Sequence, residues 1–267
     1  MARPARLNAA TQGLPLFLVF VFAIAFSGCT TVSAPPTPQW ESAKLIDAIT
    51  ERRKQFRSLR SRARVNYAGP DGKHGFDEAV LVERPNRLRL ETLSMLGAIL
   101  IVTANEKEII GYHPRDAVFV RGRSSKANLL RYTQIPLELD EITMLLAGLP
   151  PVDAATTPWW REGNSLMFAT DGRLKDAVAF ESQIAVPTQW QRYNGSGAVI
   201  LTAQFSNYIT TTAGLFPSKI EVEAPLQGKK LEIRFQEPEL NATIPAELFS
   251  QQMPPNVREI PIELIGS

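Results

Sequence analysis

The chain is poor in the residues that build redox and metal chemistry: among 267 residues there is one cysteine and there are two histidines. One cysteine excludes an intrachain disulfide and a multi-cysteine metal site. Two histidines leave no His-rich centre, and both His74 and His113 lie beside turn residues, as surface or cap positions do. An excess of charge is also missing. Lys and Arg number 29 against 27 Asp and Glu, a formal net charge of +2, so the strongly basic surface of a general nucleic-acid binder is not expected. No GxSxG, HExxH or GxxxxGK[ST] occurs, and Gly195–Ser196–Gly197 reads as a turn. No carboxylate pair stands out as an acid–base couple. Glu138, Asp140 and Glu141 fall where a helix opens and its dipole favours negative charge. No enzymatic activity, metal or cofactor is expected. What remains is 44% apolar and 21% charged, the balance of a folded protein. Its 20 prolines against 16 glycines favour turns, edge positions and short helices.

The first 28 residues read as a signal peptide. Arg3 and Arg6 start it, and the uncharged run Leu14 to Phe26 follows. A helix of thirteen residues spans about 20 Å, short for a bilayer core of roughly 30 Å but suited to a signal-peptide apolar region. Ser27, Gly28 and Cys29 then resemble a bacterial lipobox, with Phe26 where leucine is usual. Cys29 is the expected lipidation site, with an ordinary secretory signal and a chance cysteine as the other reading. Residues 29–39 form the expected tether: Thr30 to Gln39 holds three prolines, three threonines and a serine, and no charge. Removing 28 residues that contain two arginines leaves 239 residues with 27 basic and 27 acidic groups. Each buried methylene of a lipid anchor contributes about 0.8 kcal/mol.

Residues 40–267 read as one α+β domain, mainly antiparallel β. Trp40 to Leu59 has apolar residues near one side of a helix: Trp40, Ala43, Ile46, Ile49 and Phe56. The period then becomes two. Strands are expected around 62–67, 76–84, 87–92, 98–104, 108–112 and 117–121, an antiparallel meander. Two short helices follow, at 124–132 and 137–149, with Pro136 before the second and Pro150–Pro151 after it. Strand patterns resume from Ser165 to Gln236, with Asn194–Gly195 and Leu226–Gln227–Gly228 as hairpin turns.

A long antiparallel sheet that curls has a concave apolar face, and helices inserted halfway along the chain can cover it. Leu88 and Leu90 on a strand, with Ile142, Leu145, Leu146 and Leu149 on the second helix, are the expected lid and cavity residues. If side chains fill the space it is a core; if they do not, it takes an apolar ligand. Both readings stay open on pattern alone. The basic run Arg52–Arg53–Lys54 with Arg57, Arg60, Arg62 and Arg64 is either a solvated face or a contact for anionic headgroups or an acidic partner. Trp159–Trp160 are either a core corner or interfacial aromatics.

Several segments, in the same order and spacing over residues 40 to 150, resemble the LolB family of bacterial outer-membrane lipoprotein receptors. That family has a Ser-Pro-Leu-Gly loop between strands, matched by Ser94–Met95–Leu96–Gly97, and an "IPL…LGLP" helix, matched by Ile135–Pro136–Leu137 through Ala147–Gly148–Leu149–Pro150. Met95 replaces the family's proline, which loosens the loop. The tail NATIPAELFSQQMPP is similar to the closing segment of the related LolA carriers. From residue 151 on, the match is by strand pattern only.

The resemblance implies an incomplete, curved β-barrel with an N-terminal helix and lid helices. It implies a cavity for the acyl chains of other lipoproteins, which are taken from a periplasmic LolA-type carrier and inserted into the outer membrane. Met95 and Leu96 become the membrane-contact loop. Acyl transfer between two cavities changes little net area and needs no nucleotide. The lid must move, with Gly122 to Lys126 as the expected joint. A lipid-anchored monomer on the periplasmic face of the outer membrane is expected, since Thr30 lacks the aspartate of inner-membrane retention. The alternative is an anchored scaffold domain of an envelope complex with a filled core.

Overall fold

The computed structural model describes residues 40–133 and 135–265; Cys29 and the tether lie outside the described residues. Side chains alternate strictly along β1 (Ser58–Gly69): Leu59, Ser61, Ala63 and Val65 are buried, while Arg60, Arg62, Arg64 and Asn66 are exposed. One face therefore points into a core and the other to water.

Six antiparallel strands come first: β1, β2 (Gly72–Glu83), β3 (Arg87–Ser94), β4 (Gly97–Ala104), β5 (Glu108–His113) and β6 (Val118–Arg123). Helices α1 (Ser42–Gln55), α2 (Lys126–Thr133) and α3 (Leu139–Leu146) precede and follow them. The second series runs β7 (Trp159–Glu162), β8 (Ser165–Thr170), β9 (Arg173–Phe180) and β10 (Pro187–Tyr193). It continues through β11 (Val199–Thr211), β12 (Gly214–Ala224) and β13 (Lys229–Leu240) to a short final strand, β14 (Arg258–Pro261). All fourteen belong to one unclosed, curved sheet in the order β14-β6-β5-β4-β3-β2-β1-β13-β12-β11-β10-β9-β8-β7. The two series join where β1 pairs with β13, Ala63 opposite Phe235 and Val65 opposite Ile233.

The fold class and the two short helices midway along the chain follow the sequence expectation; some boundaries differ. The first helix ends at Gln55, and Ser58 and Leu59 begin β1. Gly214–Ala224 and Val199–Thr211 make a hairpin longer than expected: largely polar, partly exposed residues continue the first strand past Phe205, and Leu215 and the buried Phe216 begin the second before Pro217. Trp159–Glu162 is an edge strand. The final strand, which no alternation announces, pairs parallel with β6 and covers that edge, Arg258 opposite Val118.

The concave face is covered by the helices. Leu45 and Ile49 of α1, Leu129 of α2, and Leu139, Leu145 and Leu146 of α3 enter one cluster with Leu59, Val80, Val82 and Leu88 of the sheet. On the second half, Trp190, Phe168 and Phe216 are almost completely buried in the same cluster. Arg52 of α1 is buried too. It donates to the Leu215 carbonyl at 2.8 Å and lies over the Phe56 and Tyr208 rings, and burial lowers its pKa from the usual guanidinium value.

A separate patch forms on the outer face. Residues 241–257 run across β3–β6 before β14. Phe249 is buried there, as are Ile110 and Phe119, which point away from the concave side. The Phe249 carbonyl accepts from Asn105 at 3.1 Å, and Gln251 Nε2 donates to the Ile101 carbonyl at 3.2 Å and to Thr103 Oγ1 at 3.1 Å. Phe249→Ala is expected to cost about 3–5 kcal/mol, read by urea unfolding. Hydrogen exchange is expected to rise first in β5 and β6, whose outer side the tail covers.

Candidate functional site

The β3–β4 hairpin turns tightly at Ser94–Gly97. Ser94 Oγ donates to the Gly97 carbonyl at 2.8 Å and accepts from the Leu96 amide at 3.2 Å. Gly97 takes φ 112°, a backbone conformation that side chains disfavour. Between these two residues Met95 and Leu96 are fully exposed, at 102% and 100% of their reference area. Ile99, one strand position on, is also exposed.

Below this tip the concave face is only half covered. Phe76, Leu90, Leu100 and Val102 are partly buried, and Tyr132 and Ile135 pack over this end of the face. Deeper, the face closes: Val80, Val82, Leu88 and Ala104 are buried. Of the expected lid and cavity residues, Leu90 of the half-covered layer and Ile142 of α3 are partly buried, whereas Leu88, Leu145, Leu146 and Leu149 are buried in the core cluster. None of these six lines the surface clefts of about 160 to 690 Å³ formed elsewhere among the described residues. At its deep end the concave face is occupied by the chain's own side chains.

Helix α3 is fixed by three devices, two that cap its ends and one that ties it to the sheet. At its start the Glu141 carboxylate accepts from the Glu138 amide at 2.9 Å. At its end the Gly148 amide reaches the Leu145 carbonyl and the Leu149 amide reaches the Met144 carbonyl, both at 2.9 Å, with Gly148 at φ 71°. That is a Schellman closure, and it explains the Ala-Gly-Leu-Pro run. The third device ties helix to sheet. Arg192 of β10, with only 8% of its side chain exposed, donates to Glu141 Oε1 at 2.6 Å and to Asp176 Oδ1 of β9 at 2.9 Å. Trp190 Nε1 also donates to Asp176, at 3.0 Å. Burial pushes the Asp176 carboxyl up, and the guanidinium pulls the other way.

A second buried carboxyl is less well served. Glu78 shares the inner face of β2 with Phe76, Val80 and Val82 and is 6% exposed. Its cross-strand partner Thr92 donates to Oε2 at 2.9 Å. Burial, opposed by that hydrogen bond and reinforced by Glu91, pushes its pKa up to about 7. Tyr132, from α2, is raised to about 12 by its own burial and by the Glu78 charge. Its hydroxyl lies over Gly111, where a Cβ would come within 2.3 Å of it.

Other predicted features resolve structurally. Arg60 pairs with Glu239, Arg64 with Asp77 at 3.2 Å and Lys54 with Glu51 at 2.9 Å, so much of the basic run is neutralised. Trp159 and Trp160 are about 40% exposed on the edge strand. His74 stacks on Tyr67 at 6.1 Å. The Asp176–Arg192–Glu141 and Glu78–Thr92 groupings were not expected from sequence. The available signal was inward parity, Glu78 falling in register with Phe76 and Val80.

No family model matches the chain, and no curated protein matches it. Solved structures do. A domain described as an outer-membrane lipoprotein-sorting protein, from Vibrio parahaemolyticus, aligns with TM-score 0.55 at 10% identity, covering 78% of this chain and 97% of that one. A DUF1329-family protein from Desulfovibrio piger aligns with TM-score 0.56 at 9% identity, over 80% and 98%. A LolA-superfamily protein from Nitrosomonas europaea aligns with TM-score 0.52 at 13% identity, over 80% and 98%. The chain therefore has a LolA-like fold. The likeness is to the LolA type of structure and does not single out the LolB receptors.

Because Glu78 has a folded pKa near 7 against 4.5 for the free side chain, its protonated form is favoured by folding. The stability it allows is fully present below about pH 4.5, is lost as pH rises through 7, and is flat beyond. Glu78→Gln is expected to match the parent near pH 4.5 and to exceed it by up to about 3 kcal/mol at pH 8. Urea unfolding at the two pH values measures this.

Proposed function

We propose that this chain is a lipid-anchored protein of the bacterial envelope that takes up the acyl chains of lipoproteins on its concave face and helps insert them into the outer membrane. The observation that carries this reading is the fully exposed Met95–Leu96 pair at the tip of a hairpin whose concave side is half-covered apolar surface. Two large apolar side chains held in water by a hydrogen-bonded turn suit a surface that enters lipid. The fold likeness to a lipoprotein-sorting domain and to a LolA-superfamily protein supports the same reading. Cys29 supplies the anchor, residues 29–39 the slack, and residues 40–267 the lipid-binding domain. A periplasmic LolA-type carrier is the proposed donor. Each step is binding and exchange, with no catalysis.

In this reading an acyl chain enters by displacing α3 and α2 from the half-covered end inward, because the deep end of the face is packed with the chain's own side chains. The second reading, an anchored scaffold, is favoured by the Trp190–Phe168–Phe216 packing that fills the β8–β13 half.

Three experiments test this reading. In the chain from Thr30 onward, an apolar fluorescent dye is expected to bind saturably and be displaced by acyl chains; absence of saturable binding leaves the scaffold reading. Met95→Ser with Leu96→Ser is expected to keep dye binding and to slow transfer of a lipoprotein into vesicles at least tenfold. A cystine engineered between α3 and the Glu83–Arg87 turn, beside the Thr143 hydroxyl that bonds the Pro85 carbonyl, is expected to block uptake until reduced. Undiminished uptake in the locked form would refute displacement of α3.

A further inference from the structure

Two carboxylates are buried on the concave face, and they are treated differently. Asp176 receives a guanidinium and an indole N–H. Glu78 receives one hydroxyl, from Thr92, on Oε2. Among the described residues nothing donates to Oε1, and no cation acts on Glu78; its only charged influence is the like-signed Glu91. Burying a carboxyl without a counter-charge is expensive, and a valine here would extend the Val80–Val82 pattern without cost. Glu78 is itself buried, between the half-buried Phe76 and the buried Val80 on β2 and across from the buried Thr92, which lies three residues before Met95. Tyr132, whose hydroxyl has no hydrogen-bond partner among the described residues, packs on the same concave face and feels the Glu78 charge.

From this geometry we infer that Glu78, with Thr92, is a subsite for the primary ammonium group of a lipid-tailed ligand, whose acyl chains lie along the apolar concave face. The inference deepens the acyl-chain reading and rests on it. An ammonium has three donors and no acceptor. Oε1 of Glu78 offers an acceptor, and the carboxylate supplies the missing counter-charge. An anionic head placed there meets Glu78 with like charge, so the subsite discriminates by charge as well as by hydrogen bonding. Two sources share this chemistry: the headgroup of an aminophospholipid and the free α-amine of an acylated N-terminus.

The test uses the full chain in phosphatidylcholine nanodiscs at pH 8, with empty nanodiscs subtracted. Decylammonium, decanol and decanoate compete with the bound dye. Decylammonium is expected to displace it at a concentration at least tenfold below decanoate, and Glu78→Gln is expected to shrink that ratio to within threefold while leaving decanol unchanged. Displacement by decanol with no ammonium preference, or a preference that survives Glu78→Gln, overturns this inference alone. No displacement by any of the three overturns the acyl-chain reading and this inference with it. A measurement on the unaltered protein guards against a variant that misfolds. Decylamine coupled by a carbodiimide, mapped by peptide mass spectrometry, is expected to mark Glu78 where methylamine does not; equal marking by both overturns the inference. Lyso-phosphatidylethanolamine and a diacylated lipopeptide, each against its N-acetylated form, then separate the two sources: the one that loses affinity on acetylation is the ligand.

Discussion

An unclosed sheet with one apolar concave face has to cover that face, and this requirement organises the rest of the molecule. Fourteen strands in one curved layer cannot bury their inner side chains against each other as a closed barrel of few strands does. The cover comes from three helices, and each is fastened differently. Helix α1 is fixed by Leu45, Ile49 and the buried Arg52. Helix α2 is fixed by Leu129 and by the C-terminal segment, where Asn128 Nδ2 donates to Glu263 at 2.9 Å. Helix α3 is fixed by its apolar side and by Arg192. The outer face needs no such cover, apart from the stretch where residues 241–257 lie over Ile110 and Phe119.

Arg192 is the costliest of these fastenings and the most specific. Taking a guanidinium and two carboxylates out of water costs several kcal/mol per ion, which mutual attraction and good hydrogen-bond geometry largely return. Such a network adds little net stability, but it fixes position: Glu141 reaches Arg192 only when the first turn of α3 sits against β10. The same group behaves as a latch. If α3 lifts, Glu141 regains water, whereas Arg192 keeps Asp176 and Trp190 its bond to that carboxylate. The sheet side of the network survives opening, and the helix can return to a preformed partner.

Much of the fold was legible in the sequence and the site only partly. Period-two runs such as Arg87–Thr92 and the Pro136–Pro150 brackets around a helix identify elements because burial and backbone geometry both act locally there. The Ser94–Gly97 tip was legible for the same reason, since a short turn between strands leaves Met95 and Leu96 with nothing above them. The final strand was not: Arg258–Pro261 lacks alternation and is a strand only because β6 offers it an edge. The occupation of the concave face was equally hidden, because the volumes of Trp190, Phe168 and Phe216 decide it only once β8, β10 and β12 are brought together. In the sequence Glu78 and Arg192 look like any other strand charges. Their inward parity was readable, but its meaning depends on which faces the curvature encloses.

A filled concave face and a lipid-handling role are compatible on magnitudes. Each methylene moved from water to an apolar surface gains about 0.8 kcal/mol, so a chain of about fifteen gains roughly 12 kcal/mol. Helix α3 covers the face mainly with Leu139, Met144, Leu145 and Leu146, each worth about 1.5–3 kcal/mol when buried, or roughly 6–12 kcal/mol together. The two sums are of similar size. Replacing the helix by an acyl chain is therefore close to balanced, which is the condition for exchange that runs in either direction without an energy source. A much larger empty cavity would bind too tightly to release its cargo, and a face sealed by all three helices equally would not open. Here the seal is weakest at the end marked by Phe76, Leu90 and Leu100, the end that also carries the exposed tip. For the proposed uptake, the asymmetry of cover along the strands would give a direction of entry that neither the sheet nor the helices define alone.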